Sequence, residues 1–227
     1  MNQPLLRSCS LFLFDLDGTL IDSRADITRA VNFALERMHL QPLNESCIAD
    51  FVGNGLPLLI ERSLRKATGG QPESMMIQEG IGLFQEEYGN HLLDQTRLYP
   101  DVMEGLDRLS WARFAVVSNK PEGFSRRILE GLGIGNRFCI ILGGDSIQNR
   151  KPDPESLLMA MNFCKGSSAE TAMVGDSAVD IQAGKAAGVI TCGVLGGFRP
   201  QSEIQTAGCD IIIETLRELA DHFRAPV

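Results

Sequence analysis

The stretch SLFLFDLDGTLIDS (residues 10–23) ends an apolar run in Asp15, Leu16, Asp17, Gly18 and Thr19. Side chains two apart on extended chain point the same way, so Asp15 and Asp17 address one crevice. Two carboxylates there suit a bound cation or proton transfer to a substrate. An EF-hand calcium loop fits poorly. It needs Gly at its sixth position and Glu at its twelfth, where this chain has Leu20 and Asp26. The same punctuation recurs downstream. Ser118, Asn119 and Lys120 follow FAVV, Lys151 opens the helix after FCIIL, and Asp176 and Asp180 follow TAMV within GDSAVD. Singly, each has a plain structural reading: a loop start or cap, a solvated lysine, acids at a helix N-terminus. A purely structural sheet has no need of the whole set at successive strand ends.

Those runs are also the elements that must position the groups. The strand candidates are 10–14, 114–117, 138–142, 171–174, 190–194 and 210–213. Their near-continuous apolar character predicts burial on both faces, as in parallel sheets covered by helices. Helical stretches alternate with them. Phe124, Ile128, Leu129 and Leu132 recur at helical spacing, and in KPDPESLLMAMNF Asp153 and Pro154 stand where an N-cap and first helical residue belong. The alternation predicts an α/β fold with a doubly wound, mostly parallel, Rossmann-like sheet that binds ligands beyond its carboxyl ends.

One interval breaks the rhythm, because the first two strands lie about 100 residues apart against roughly 20 to 35 for the later repeats. The excess shows three apolar stripes at helical period and no strand pattern. They are Ile27, Val31, Ala34, Leu35 and Met38; then Leu56, Leu59, Ile60, Leu64 and Ala67; then Ile77, Ile81, Phe84, Tyr88 and Leu92. The expected organisation is a core domain of residues 1–21 and 97–227, with an all-helical domain of residues 22–96 inserted after the first strand.

Composition narrows the function. A net charge of −8 over 227 residues argues against nucleic acid, which requires a basic footprint, and against anionic membrane surfaces. An anionic substrate would have to be held locally, by a metal ion or a few placed cations. Six scattered cysteines without a C-x-x-C pair fit buried thiols in a reducing compartment rather than a disulfide framework. No run approaches membrane-spanning length and no signal peptide precedes the fold, so the expected location is cytoplasmic.

DLDGTL, SNK, KPDP and GDSAVD, in this order, resemble the four motifs of the haloacid dehalogenase-like hydrolase superfamily, over about residues 10 to 223. The helical insert is similar to that superfamily's first class of cap domain. Within it, FVGNGLPLLIERSL, LYPDV, VVSNKP and GGDSIQNRKPDPE most resemble phosphoglycolate phosphatases. The resemblance implies an enzyme, a phosphoric monoester hydrolase dependent on Mg²⁺. An aspartate can take a phosphoryl group as an aspartyl-phosphate, and that role fits Asp15 at the end of a rigid strand. Asp17 is expected to protonate the leaving alkoxide and then to activate water. Dehalogenating relatives lack an acid at that position, since halide leaves without a proton, so Asp17 favours phosphate chemistry. Gly18 permits the turn and lets N–H groups approach phosphoryl oxygens, and Thr19 supports it. By resemblance, the Asp15 carboxylate, the Asp17 carbonyl and the Asp176 carboxylate hold the metal. Asp180 and Ser177 stand behind them, with Asp180 orienting Lys151 or a metal water. Ser118, Asn119 and Lys120 would meet phosphoryl oxygens, and Lys151 would offset the charge of nucleophile and phosphate.

The expected partner is a small phosphorylated metabolite, 2-phosphoglycolate first, taken by a monomer or homodimer. A sugar-phosphate phosphatase, a pyrophosphatase and a phosphomutase of the same architecture remain open. A non-catalytic phospho-acceptor or binding module is remote, because such a module would carry its acceptor aspartate on a later strand, where this chain has Ser118. In the insert, Asn54 and Gly55 are expected over the site, with Arg62 open as a contact for a second anionic group. Arg65 and Lys66 read as solvated. Asp22 and Ser23 read as the hinge of the insert, and Met75 and Met76 as core packing. His39, His91 and His222 are isolated and form no metal pair. Phe198, Arg199 and Pro200 form a loop after the fifth strand, open as a substrate contact.

Overall fold

All six apolar runs pair into one parallel sheet in the computed structural model of the chain, which describes residues 6–226. In chain order, β1 (Arg7–Ser8) precedes the central strand β2 (Leu11–Phe14). The hairpin partners β3 (Ile21–Asp22) and β4 (Arg97–Leu98) bracket the insert. The strands β5 (Arg113–Val117), β6 (Ile140–Leu142), β7 (Thr171–Gly175), β8 (Ile190–Val194) and β9 (Ile211–Ile213) follow, and β10 (Phe223–Arg224) pairs back onto β1. The sheet order is β6-β5-β2-β7-β8-β9. From β2 the chain builds outward to one side through β5 and β6. It then crosses to the other side for β7, β8 and β9. The carboxyl end of β2 therefore lies at the topological switch point, where doubly wound sheets bind ligands.

Alternate residues of each strand serve opposite faces. Phe12, Phe14, Phe114, Val116 and Val174 belong to one buried cluster, and Leu11, Leu13, Ala115, Val117 and Met173 to the other. The helices α5 (Val102–Arg108), α6 (Glu122–Gly131), α7 (Glu155–Cys164), α8 (Ala178–Ala187), α9 (Gln201–Ala207) and α10 (Leu219–His222) accompany these strands. Both faces are dry, which is why the strands lack polar alternation.

Between β3 and β4 the chain is helical: α1 (Arg24–Arg37), α2 (Glu45–Ala49), α3 (Leu56–Thr68) and α4 (Ser74–Asn90). The three apolar stripes read from the sequence fall on α1, α3 and α4, with Met38 and Leu92 just beyond the ends of α1 and α4, and α2 had no stripe long enough to show. The two ends of this segment are tied by Asp26. Its buried carboxylate accepts from the Gln95 and Thr96 N–H groups and the Thr96 hydroxyl at 2.8–3.2 Å. Asp22 and Ser23 sit at this junction, with Ile21↔Leu98 and Asp22↔Arg97 in register and Ser23 immediately before α1.

Four details differ from the sequence reading. Met75 is 80% exposed and only Met76 packs against the core, because Met75 falls on the outward side of the first turn of α4. The α7 helix begins at Glu155 with Pro154 as its cap, one residue later than expected, while Asp153 accepts the Glu155 N–H at 3.0 Å. The third strand is limited to Ile140–Leu142. Of the six free cysteines only Cys9, Cys164 and Cys192 are buried, and Cys139 is exposed.

Candidate active site

The turn after β2 is built around close approach. Gly18 adopts φ +89° and donates its N–H to the Ile21 carbonyl at 2.9 Å. A Cβ there would overlap the Asp176 carboxylate, so glycine is required for the turn and for room beside Asp176. Because its N–H is used inside the loop, Gly18 acts here through space rather than as a free anion donor. Thr19 is buried with no partner for its hydroxyl among the described residues. With Gly18 it borders a separate cavity of ≈ 150 Å³ that also meets Tyr99 and Gly196.

Asp15 emerges from β2 with its N–H on the Val174 carbonyl at 2.9 Å. The buried Lys151 ammonium lies 2.8 Å from the Asp15 carboxylate and 2.6 Å from that of Asp180. Burial alone would depress the lysine, but two facing carboxylates outweigh it and hold the ammonium above its ordinary range. Burial lifts the Asp15 carboxyl to about 6, opposed by Lys151 and reinforced by Asp180. Lys151 is held at both ends of its peptide unit by Asn119, whose Oδ1 accepts the Lys151 N–H at 3.0 Å and whose Nδ2 donates to the Lys151 carbonyl at 2.9 Å.

Asp180 has both oxygens occupied: one by Lys151, the other by the Ser177 N–H and hydroxyl at 3.2 and 2.6 Å. Asp176 is different. It is 3% exposed, accepts only the Phe198 N–H at 2.7 Å, and has no cation bonded to it among the described residues. Burial, then Asp180 and Asp15, raise its pKa well above the ordinary carboxylate range. A buried carboxylate this poorly satisfied fits a cation as its missing partner. Oxygens of Asp15, Asp176 and Asp180 approach within 4.8 Å of one another, and an all-oxygen donor set beside a phosphate suits Mg²⁺.

Asp17 faces the other way around the crevice. The Ser23 hydroxyl donates to it at 2.5 Å and the Lys120 ammonium at 3.0 and 3.1 Å. Lys120 also sits 4.6 Å from the Tyr88 ring centroid. Burial works against its charge, but Asp17 and Tyr88 hold its pKa above the ordinary lysine value. Ser118 borders the same pocket, its Oγ accepting the Lys120 N–H at 3.3 Å.

The helical segment closes over this crevice through the turn 50–55. Four consecutive carbonyls of that turn are taken by side chains. Arg199 donates to Asp50 at 2.6 Å and to Val52, Arg62 to Phe51 at 3.3 Å, and Asn119 to Gly53 at 2.9 Å. Gly55 lines the pocket. Arg62 and Asn54 instead bond each other at 2.8 Å, outside the pocket lining. Arg65 pairs with Glu61 on the exposed face of α3 at 2.7 Å. Residues gathered at the crevice are therefore Asp15, Asp17, Ser118, Asn119, Lys120, Lys151, Asp176, Asp180 and Gly55, while Thr19, Asn54 and Arg62 stand apart. Sequence reasoning missed the Asp17–Lys120 pair, the Arg199 contacts and Tyr88. The only signal for Tyr88 was a phenol within an otherwise apolar stripe.

The family model described as haloacid dehalogenase-like hydrolase matches residues 12–194. A phosphoglycolate phosphatase of Colwellia psychrerythraea is 36% identical over 218 residues, covering 94% of this chain and 96% of its own. One of Chromobacterium violaceum is 34% identical over 218 residues, covering 95% and 97%. The crystal structure of a predicted phosphoglycolate phosphatase from Haemophilus somnus 129PT superposes with a TM-score of 0.88 at 30% identity, over 93% of this chain and 96% of that one. CbbY from Rhodobacter sphaeroides, solved with phosphate, shares the fold with a TM-score of 0.79 at 21% identity, over 93% and 96%.

Proposed function

We propose that this chain, which belongs to the haloacid dehalogenase-like hydrolase family and is a phosphoric monoester hydrolase, releases phosphate from 2-phosphoglycolate through a covalent intermediate on Asp15. The observation that carries the reading is Lys151 seated between Asp15 and Asp180 at 2.8 and 2.6 Å, beside the unsatisfied carboxylate of Asp176. An aspartate nucleophile attacking a phosphate dianion needs this: positive charge fixed at the reacting oxygens before the substrate arrives.

In the first half-reaction an Asp15 oxygen forms a bond to phosphorus as the ester P–O bond breaks, and Asp17 protonates the departing alkoxide. In the second, Asp17 takes a proton from water, the water oxygen attacks phosphorus, and inorganic phosphate leaves Asp15 as a free carboxylate. Lys151 neutralises charge at Asp15 throughout, and the Ser118 hydroxyl donates to a phosphoryl oxygen. Asp180 and Ser177 hold Lys151 and the start of α8 in place, and Asn119 fixes the Lys151 backbone. Asp15, Asp176 and the Asp17 carbonyl would hold Mg²⁺, which supplies Lewis-acid charge neutralisation to nucleophile and phosphate together. Residues 22–96 act as a cap whose turn 50–55 excludes water from the aspartyl-phosphate.

The names of the relatives favour 2-phosphoglycolate. The test is phosphate release with Mg²⁺ across 2-phosphoglycolate, sugar phosphates, pyrophosphate and an aryl phosphate, with EDTA and Asp15→Asn as controls. The expected result is EDTA-sensitive turnover led by 2-phosphoglycolate and lost in the variant. Preference for another compound overturns the substrate, and turnover surviving Asp15→Asn overturns the covalent mechanism.

A further inference from the structure

The pocket over Asp15 changes character away from the reacting atoms. Its far wall is Ile27, Leu56, Leu59, Phe84 and Phe124, contributed by α1, α3, α4 and α6. None of these side chains can pair with a charge or donate a hydrogen bond. Arg62 is turned away to Phe51 and Asn54, and Arg199 is bonded to carbonyls of the 50–55 turn. A leaving group with a polar end would find that wall hostile, since an unpaired polar group loses its hydration on entry.

One side chain of the wall is an exception. Tyr88 is 1% exposed, its ring stacked on Phe84 at 5.0 Å and edge-on to Phe124 at 5.3 Å. Its hydroxyl is buried and makes no well-formed hydrogen bond among the described residues, with the Lys120 ammonium as its one polar neighbour of note. A phenylalanine would complete the aromatic cluster equally well, and an orphaned buried hydroxyl is a net cost to the fold. Beside the ring stands Lys120, 4.6 Å from its centroid, the only ammonium among the described residues that line this pocket. The Tyr88 phenol stays protonated, its pKa pushed up to about 12 by burial, so it is a donor throughout the working pH range.

We propose that the Tyr88 hydroxyl, with the Lys120 ammonium beside it, is the specificity-determining contact for the polar end of the leaving group. The substrate class that fits is the phosphate monoester of a short alcohol ending in a carboxylate: the phosphoryl group on Asp15, a one-carbon spacer against the apolar wall, and the carboxylate on the phenol. This deepens the 2-phosphoglycolate reading and rests on it. A site whose buried donor goes unmet when the polar group is missing rejects that analogue far more strongly than an apolar pocket can.

The experiment compares wild type with Tyr88→Phe on 2-phosphoglycolate and on ethyl phosphate, which keeps the spacer and lacks the carboxylate, with thermal melting alongside. Wild type is expected to prefer 2-phosphoglycolate in kcat/KM. Tyr88→Phe is expected to shrink that preference at least about tenfold, with a melting temperature equal to or above wild type. Equal losses on both substrates would make the hydroxyl a structural group and overturn the proposal, as would an unchanged preference. Wild type turning over both esters equally also overturns it, since nothing then reads the polar end. If wild type instead prefers a different polar-ended ester, the 2-phosphoglycolate reading falls, and Tyr88 stands or falls by the variant's loss on that ester.

Discussion

Replacing Asp15 by asparagine in the metal-free protein removes the charge of the nucleophile, and with it one of the charges that raise the Asp176 carboxyl. Burial raises the Asp15 carboxyl from 3.8 to about 6, so the folded protein holds this proton more tightly than the unfolded chain does. The stabilising contribution is therefore whole below pH 3.8 and is lost as pH rises through 6. At about 1.36 kcal/mol per pH unit, a rise from 3.8 to about 6 amounts to about 3 kcal/mol. The amide introduced by Asp15→Asn cannot ionise, so the variant lacks this slope. Relative to the variant, metal-free wild type should lose about 2 to 3 kcal/mol between about pH 4 and pH 7.5. Asp22, Glu122 and Asp210 have lowered pKa values and contribute with the opposite sign. They are common to both proteins and cancel in the difference.

The assay is urea unfolding in EDTA followed by the fluorescence of Trp111, the single tryptophan. It lies edge-on to Phe12 at 6.2 Å, on the strand that carries Asp15. With urea slopes of about 1 to 3 kcal/mol per molar, the shift in relative midpoint is on the order of 1 M. Submicromolar protein is needed, because the range crosses the pI of about 4.9. Added Mg²⁺ should stabilise wild type increasingly as pH rises, since the ligand form is the carboxylate, and should leave the asparagine variant with the smaller gain. Stability curves that run parallel from about pH 4 to pH 7.5 would refute burial as the source of the raised pKa.

Two further perturbations follow from the same geometry. Lys151→Met removes the ammonium shared by Asp15 and Asp180. Phosphate release should fall by about 10²–10³ or more and the metal-free fold by about 3–5 kcal/mol at neutral pH, with the stability loss shrinking on acidification. A pH-independent loss would contradict the charge account. Arg199→Ala frees the carbonyls of Asp50 and Val52. Amide exchange across residues 50–56 should accelerate while the β2 and β7 amides keep wild-type protection, KM should rise, and Arg199→Lys should recover only part of both. Unchanged exchange in that turn would show that Arg199 does not hold it.

Much of the candidate site was legible because its logic is one-dimensional. A buried strand ends where the apolar run ends, a doubly wound sheet places its ligands at those ends, and Asp15, Ser118 and Asp176 each lie within a few residues of one, with Lys151 in the connection after the third. The helices of the insert were legible for the related reason that a stripe records which side of a helix faces inward. A stripe says nothing about what a group on that side must find there. Tyr88 counts as apolar by its period, and its hydroxyl becomes conspicuous only when no well-formed hydrogen bond to it is found among the described residues.

The 50–55 turn escaped for a different reason. Its contacts with Arg199 span 147 and 149 residues of chain and end on main-chain carbonyls, which every residue possesses, so neither spacing nor residue type betrays them. Arg62 illustrates the consequence. As a cation on α3 near Asn54 and Gly55 it reads as an anion contact, yet its guanidinium is spent on Phe51 and Asn54. With Arg62 and Arg199 committed to the backbone of the turn, the pocket keeps Lys120 as its ammonium and Tyr88 as its free donor. Cations that seem to offer specificity in the sequence thus shape the turn, and discrimination among phosphate esters passes to a residue that looked like packing.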